Sequence, residues 1–359
     1  MSELRINNIT DRVGSSGPII AGVSTVTSTS HMVMPSGPTE MRGGRGRGVF
    51  TGGNAAPSTT YVDTMSFVTI ATTGNATDFG NLSQGVYSHG SAADSTRGVI
   101  AGGYDSPAGT SSKIQYTTIS SSGGTNDFGD LAVGFQYGGG CNSPTLAVFG
   151  GAWADAVTNI GGDKNSNVLQ FITIQTTGDS TEFGDLTKRR QTDQALSNKT
   201  RGCFIGGAHY SSYPTYIGTN IIDFVTFSSL GDAQDFGDLI NDGWGSGAAA
   251  NNTRGIIVGG QGGPSPFPST NVIQFITIAT KGNAENFGDL LNPNAYTTAL
   301  SSSTRVVIGG GTAPSPLARL NTIQFITIAS TGDATQFGDL TIAVDQLSGF
   351  SDVNGGLGD

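Results

Sequence analysis

One twenty-residue sentence recurs along this chain with few changes. Asn321 to Leu340 reads NTIQFITIASTGDATQFGDL, Asn271 to Leu290 reads NVIQFITIATKGNAENFGDL, and Asn220 to Leu239 reads NIIDFVTFSSLGDAQDFGDL. Its hallmark Phe-Gly pair falls at Phe79, Phe128, Phe183, Phe236, Phe287 and Phe337. Between these copies lies a second signature ending in Gly-Gly: GRGVFTGG, TRGVIAGG, PTLAVFGG, TRGCFIGG, TRGIIVGG and TRVVIGGG. Six copies of each define six units. No unit is long enough to bury a core alone, so neighbours must stack.

A repeat of about 50 residues points to the blades of a propeller. Each unit parses into four strands. Strand A is small and polar, as in QALSNKT or GAAANNT; strand B is RGIIVGG; strand C is VIQFITIA; strand D is AENFGDL. The C–D turn carries Gly with Asp or Asn, as at Gly332-Asp333, which suits a tight hairpin. In strand C, Ile323 and Phe325 point one way and Ile326 and Ile328 the other. A sheet packed between two neighbours needs apolar residues on both faces. Small residues in strand A suit the crowded centre of such a ring. The first unit opens at strand B, and DQLSGFSD (345–352) resembles the strand A it lacks. The expected architecture is an all-β, six-bladed propeller of four-stranded blades spanning 46–359, closed by the C-terminal strand.

Residues 1–45 follow no blade pattern and form an extended N-terminal arm. Ile19, Ile20, Val23, Val26, Met32 and Met34 supply its apolar positions, and the arm is expected to attach by adding strands to a partner. The opening residues show no signal-peptide core, and no apolar run approaches the ~18 residues of a membrane span. The net charge of −10 argues against nucleic acid or an anionic membrane as partner. Cys141 and Cys203 read as free thiols from a reducing cytoplasm.

Catalytic patterns are missing from the sequence. The three histidines, His31, His89 and His209, show no metal-ligand spacing, and there is no nucleophile elbow or P-loop. The chain reads as a non-enzyme with no cofactor and no metal. Asn81, Asp130, Asp185, Asp238, Asp289 and Asp339 follow Phe-Gly, and each is expected to bond its own turn backbone. Arg47, Arg97, Arg201, Arg254 and Arg305 open strand B, with Thr145 in the third unit. They are expected to pair with Asn75, Asp179, Asp232, Asn283 and Asp333 of the C–D turns on the same face.

The opposite face collects the B–C loops and the D–A connections. There lie Trp153, His209, Tyr210, Tyr213, Tyr216, Trp244 and Phe267, a candidate recognition surface. Aromatic side chains in loops can stack on sugar rings or anchor a protein partner.

The Gly-Gly ending and four-strand unit resemble kelch-type propellers. The units TRGVIAGG and NTIQFITIASTGDATQFGDL more closely resemble the Gly/Ser/Thr-rich repeat proteins of tailed bacteriophage virions, especially phages of marine cyanobacteria. The opening LRINNITDRVGSSGPIIAGVSTV is similar to leaders of phage fibre proteins. The resemblance implies a virion structural protein, made in the host cytoplasm and anchored by its arm to other tail or capsid proteins. A tail-fibre adhesin facing a host glycan or protein, and a capsid decoration or head-fibre protein, are both open. A carbohydrate-active propeller enzyme would need polar groups clustered in the axial channel.

Overall fold

A computed structural model of the chain describes residues 46–55, 60–105, 109–157, 162–192, 194–212, 215–263, 267–314 and 317–353. The arm positions Ile19 to Met34 and the loop residue Tyr213 lie outside the described residues. Every regular α or β element among the described residues is a strand. The chain is all-β, built of antiparallel sheets whose strands pair in the order A, B, C, D.

The fifth unit shows the pattern. Strand A (Gly247–Ala250) pairs with B (Arg254–Val258), B with C (Val272–Thr277), and C with D (Glu285–Asp289). The Ala-rich strand A is wholly buried, as is strand B beyond its arginine. Five A strands follow one another: Gly90–Ala93, Gly139–Asn142, Gln194–Ser197, Gly247–Ala250 and Thr298–Ser301. The first unit takes its strand A from Ser348–Ser351, which pairs antiparallel with Arg47–Thr51. Each A strand contacts the next, and Ser348–Ser351 lies against both Thr298–Ser301 and Gly90–Ala93. Small side chains make this approach feasible: Ser301 Oγ donates to Ala250 O at 2.6 Å, and Ser351 Oγ to Ser301 O at 2.6 Å.

The Phe-Gly motif is a junction between units. The phenylalanine carbonyl accepts the N–H of the next unit's C–D glycine: Phe79 from Gly123 at 2.7 Å, Phe236 from Gly282 at 3.0 Å, Phe337 from Gly74 at 2.9 Å. The glycine after it must lack a side chain. A Cβ on Gly237 would sit 2.4 Å from Gly282 O, and one on Gly338 would sit 2.2 Å from Gly74 O. The backbone N–H of Asp130, Asp185, Asp238, Asp289 and Asp339 then donates to Asp179, Asp232, Asn283, Asp333 and Asn75 of the neighbouring turn. In these five units the residue after Phe-Gly is thus held by the next unit and not by its own turn; in the first, Asn81 O accepts from Thr125 N at 3.1 Å. The C–D segment is also no tight hairpin. Strand C ends at Thr327 and D begins at Thr335, so that Gly332-Asp333 can reach across.

The arginines differ from expectation too. Arg97 Nη1 donates to Ile174 O of the next unit at 2.9 Å, Arg254 to Ile328 O at 2.9 Å, and Arg305 to Ile70 O at 3.3 Å. Each guanidinium also lies over a ring of its own strand C, Arg254 at 4.8 Å from Phe275 and Arg97 at 4.2 Å from Tyr116. The turn carboxylates are occupied by backbone N–H groups, so the arginines take strand-end carbonyls instead. In the third unit the register puts Leu146, paired with Thr173, at the arginine position; Thr145 corresponds to the Thr of the Thr-Arg pair.

Buried glutamines complete the junction. Gln274 Oε1 accepts from Ile240 N at 2.9 Å, and Gln324 Oε1 from Leu291 N at 3.0 Å. The glutamine side chains thus take backbone N–H groups of the preceding unit just beyond its strand-D motif. Asp223 replaces glutamine in the fourth unit and forms a fully buried pair with Arg190 at 2.7 Å. The two cysteines are buried free thiols, and burial pushes Cys203 to about 12, so it stays protonated.

Candidate functional site

Antiparallel pairing sends the ends of strand B and the starts of strand C to one face, with the D–A connections. This loop face departs from the repeat. In the fourth unit, Ala208–Ser212 folds back on the long strand Thr215–Thr226, setting Tyr210 opposite Tyr216. Trp153 is held between Gln136 and Asn165 by backbone bridges, and Trp244 is bridged to Gln261.

These elements bring most of the expected aromatics into one band. Ring centroids lie 6.0 Å apart for Trp153–Tyr210, 4.5 Å for Tyr210–Tyr216, 6.0 Å for Tyr216–Trp244 and 5.0 Å for Trp244–Phe267. All four contacts are edge-on, the arrangement that aromatic quadrupoles favour. Trp153, Tyr210, Tyr216 and Phe267 are half-buried, so one side of each packs and the other faces out. Phe267 holds a φ of +55°, uncommon for a bulky residue, which places its ring against Trp244.

Two expected members do not serve as open contacts. Trp244 is only 9% exposed, and its indole N–H donates to Tyr296 Oη at 3.1 Å. Gln261 Nε2 donates to the same oxygen at 2.7 Å, so Trp244 is a fixed wall. His209 neighbours Tyr210 on its strand and therefore points to the other side. Burial, then the cations Lys188 and Arg190, lower its pKa, and its Nδ1 has no hydrogen-bond partner.

A second aromatic group was not expected from sequence. Tyr87 lies 4.7 Å from Tyr61, 5.4 Å from Tyr104 and 6.3 Å from Tyr137. Burial and the neighbouring phenols raise the Tyr87 pKa. The available signal was positional. Tyr104 directly follows Gly-Gly, and Tyr87, Tyr137 and Tyr296 each precede a strand A.

Two spaces differ sharply in size. The cavity among the inner strands, lined by Ser91, Ala195, Ala248, Ala249 and Ser348, holds about 20 Å3. That is room for about one water. A cleft of about 370 Å3 opens between the fourth and fifth units, beside Trp244. It falls in the size range of small-molecule sites. No group of three or more His, Cys, Asp or Glu side chains among the described residues could hold a metal ion.

Comparison with known protein families finds no model that matches the chain, and comparison with curated proteins finds no relative.

Proposed function

We propose that the chain is a closed, six-bladed, kelch-like propeller that serves as a non-enzymatic structural protein of a phage virion. Its 1–45 arm joins other virion proteins, and the loop face meets the host surface. Supporting the ring are the repeated A-to-D sheets, the contacts between successive A strands, and the pairing of Ser348–Ser351 with Arg47–Thr51. Arg47 and Asp352 meet on the arginine face, where Asp352 N donates to Arg47 O at 3.2 Å. A protein anchored there displays its opposite face.

The observation that carries the recognition role is the aromatic band from Trp153 to Phe267 on that opposite face. Half-buried aromatic rings offer large contact area with little loss of side-chain freedom. The axial cavity, sized for a water, gives no room for the sugar that an axial carbohydrate-active site would process.

The test is Trp153→Ala, Tyr216→Ala and Phe267→Ala together in virions. Host adsorption should fall at least tenfold while particle yield and melting temperature hold. Unchanged adsorption would leave a capsid-decoration or head-fibre role as the better reading.

A further inference from the structure

The connection from strand D to the next strand A passes through one recurrent position. Its carbonyl accepts the N–H of the residue closing its own unit's Gly-Gly: Val86 from Gly53, Phe135 from Gly103, Gly243 from Gly207, Asn294 from Gly260 and Val344 from Gly311, all at 2.7–2.9 Å. Arg190 holds this place in the third unit, next to Gln191, which bridges Ala208 as Gln136 bridges Trp153. Five of the six positions carry a buried side chain, with Val86, Phe135 and Asn294 each 2% exposed, Val344 3% and Arg190 0%. Each plugs a boundary between units.

Gly243 is the one without a plug, and the 370 Å3 cleft lies at its boundary. Phe135 belongs to a buried cluster with Leu131, Phe149 and Ala152. The counterparts of those three in the repeat are Leu239, Ile257 and Gly260, and all three line the cleft. The cleft therefore opens where the second unit packs a phenylalanine ring.

We propose that this cleft binds one sugar residue of a neutral, hydroxyl-rich glycan, an assignment that rests on the host-recognition role above. Its lining carries apolar surface from Trp244, Leu239 and Ile257 and polar groups from Asn241, Asp242, Asn271 and Gln274. Gln274 is 5% exposed and its Oε1 is taken by Ile240 N–H, which leaves its amide N–H2 without a hydrogen-bond partner among the described residues at the cleft wall. Among the equivalent glutamines, Gln170 donates to Val133 O at 2.8 Å, while Gln115 and Gln324 bond through Oε1 as Gln274 does; what sets Gln274 apart is the cleft beside it. A sugar hydroxyl would accept from Gln274, and Asp242 and the two asparagines supply acceptors and donors for further hydroxyls. No Lys or Arg lines the cleft among the described residues, and Asp242 would repel an acidic sugar.

The experiment uses the full chain with glucose, galactose, rhamnose and N-acetylglucosamine, and N-acetylneuraminic acid as the anionic probe. Saturation-transfer NMR should detect at least one neutral sugar and not the acid. Asp242→Ala with Asn271→Ala should weaken that sugar at least tenfold in calorimetry with an unchanged melting temperature. Should that pair unfold the protein, Asn241→Trp, at an exposed position on the cleft, should also abolish binding. No neutral sugar bound, preference for the acid, or affinity unmoved by the variants would overturn the site. Host adsorption is measured in parallel. Adsorption without sugar binding removes this site and keeps the recognition role. Sugar binding by a protein that does not adsorb removes the role and keeps the site.

Discussion

The two faces of the repeat are made of the same strands and obey different rules. On the turn face every C–D segment reaches the neighbouring unit through its glycine N–H to the Phe carbonyl, and in five of the six an Asx side chain also accepts a backbone N–H of that neighbour; the second unit has Gly124 there instead. On the loop face each unit differs, from a folded-back hairpin at Ala208–Ser212 to the tyrosine group around Tyr87. The turn face holds the units together, so its residues answer to backbone geometry. The loop face is tied between units at its D–A positions, as where Trp153 N–H donates to Gln136 O, and the loop residues outside those ties can answer to a ligand.

The largest effect expected is loss of the pairing between Arg47–Thr51 and Ser348–Ser351. Deletion from Asp345 onward removes the A strand of the first unit with its buried Phe350, and the buried Leu347 before it. Thermal melting should lose its single cooperative transition. The milder Phe350→Ala should cost about 3–5 kcal/mol. An unchanged melt for either would show that the turn-face contacts hold the units together alone.

Acid should separate the faces next. His89 is buried at the loop-face end of a strand A, with Thr51 Oγ1 2.8 Å from its Nε2 and its Nδ1 unpartnered. Burial lowers its pKa to about 3 from an ordinary 6.5. A depressed histidine pKa contributes stability that is full above 6.5 and is lost as pH falls towards 3, on the order of a few kcal/mol. His89→Gln should flatten that part of the stability–pH curve. Tryptophan fluorescence, which reports the loop face alone, should shift before far-UV circular dichroism does.

A pair of glycine substitutions gives the smallest and sharpest contrast. Gly237→Ala on the turn face meets the Gly282 carbonyl at 2.4 Å and should cost more than about 2 kcal/mol. Gly263 on the loop face has a φ of +75° but nothing within 4 Å of a built Cβ. Gly263→Ala should cost about 1 kcal/mol, from backbone conformation alone. Equal costs in chemical denaturation would erase the distinction between the faces.

Strand pattern, unit boundaries and the C-terminal strand's place beside Arg47–Thr51 were legible in the sequence because each copy repeats the same local pattern. The bonding between copies was not. Asp and Arg on one face suggested ion pairs, yet backbone N–H and carbonyl groups, which no sequence pattern displays, outcompete the side chains for each other. The Leu146 register was hidden by one glycine: Gly150 pairs with Leu169 inside strand B, so the visible Gly-Gly of the third unit is shifted by one place. The cleft was invisible because it depends on aligning Val86, Phe135, Arg190, Gly243, Asn294 and Val344. Those residues share a position but range from valine and phenylalanine to arginine, asparagine and glycine.

The pairing of Arg47–Thr51 with Ser348–Ser351 also orders assembly in time. Arg47 and Asp352 meet across 305 positions of chain. During synthesis the later units can form their sheets as they emerge, while the first waits with an unpaired strand edge until Ser348–Ser351 has emerged. Closing so long a loop is slow, and an open edge in the interval invites pairing with another chain. Stopping synthesis shortly before Ser348 would therefore leave that edge open to strand exchange although the other units are already formed.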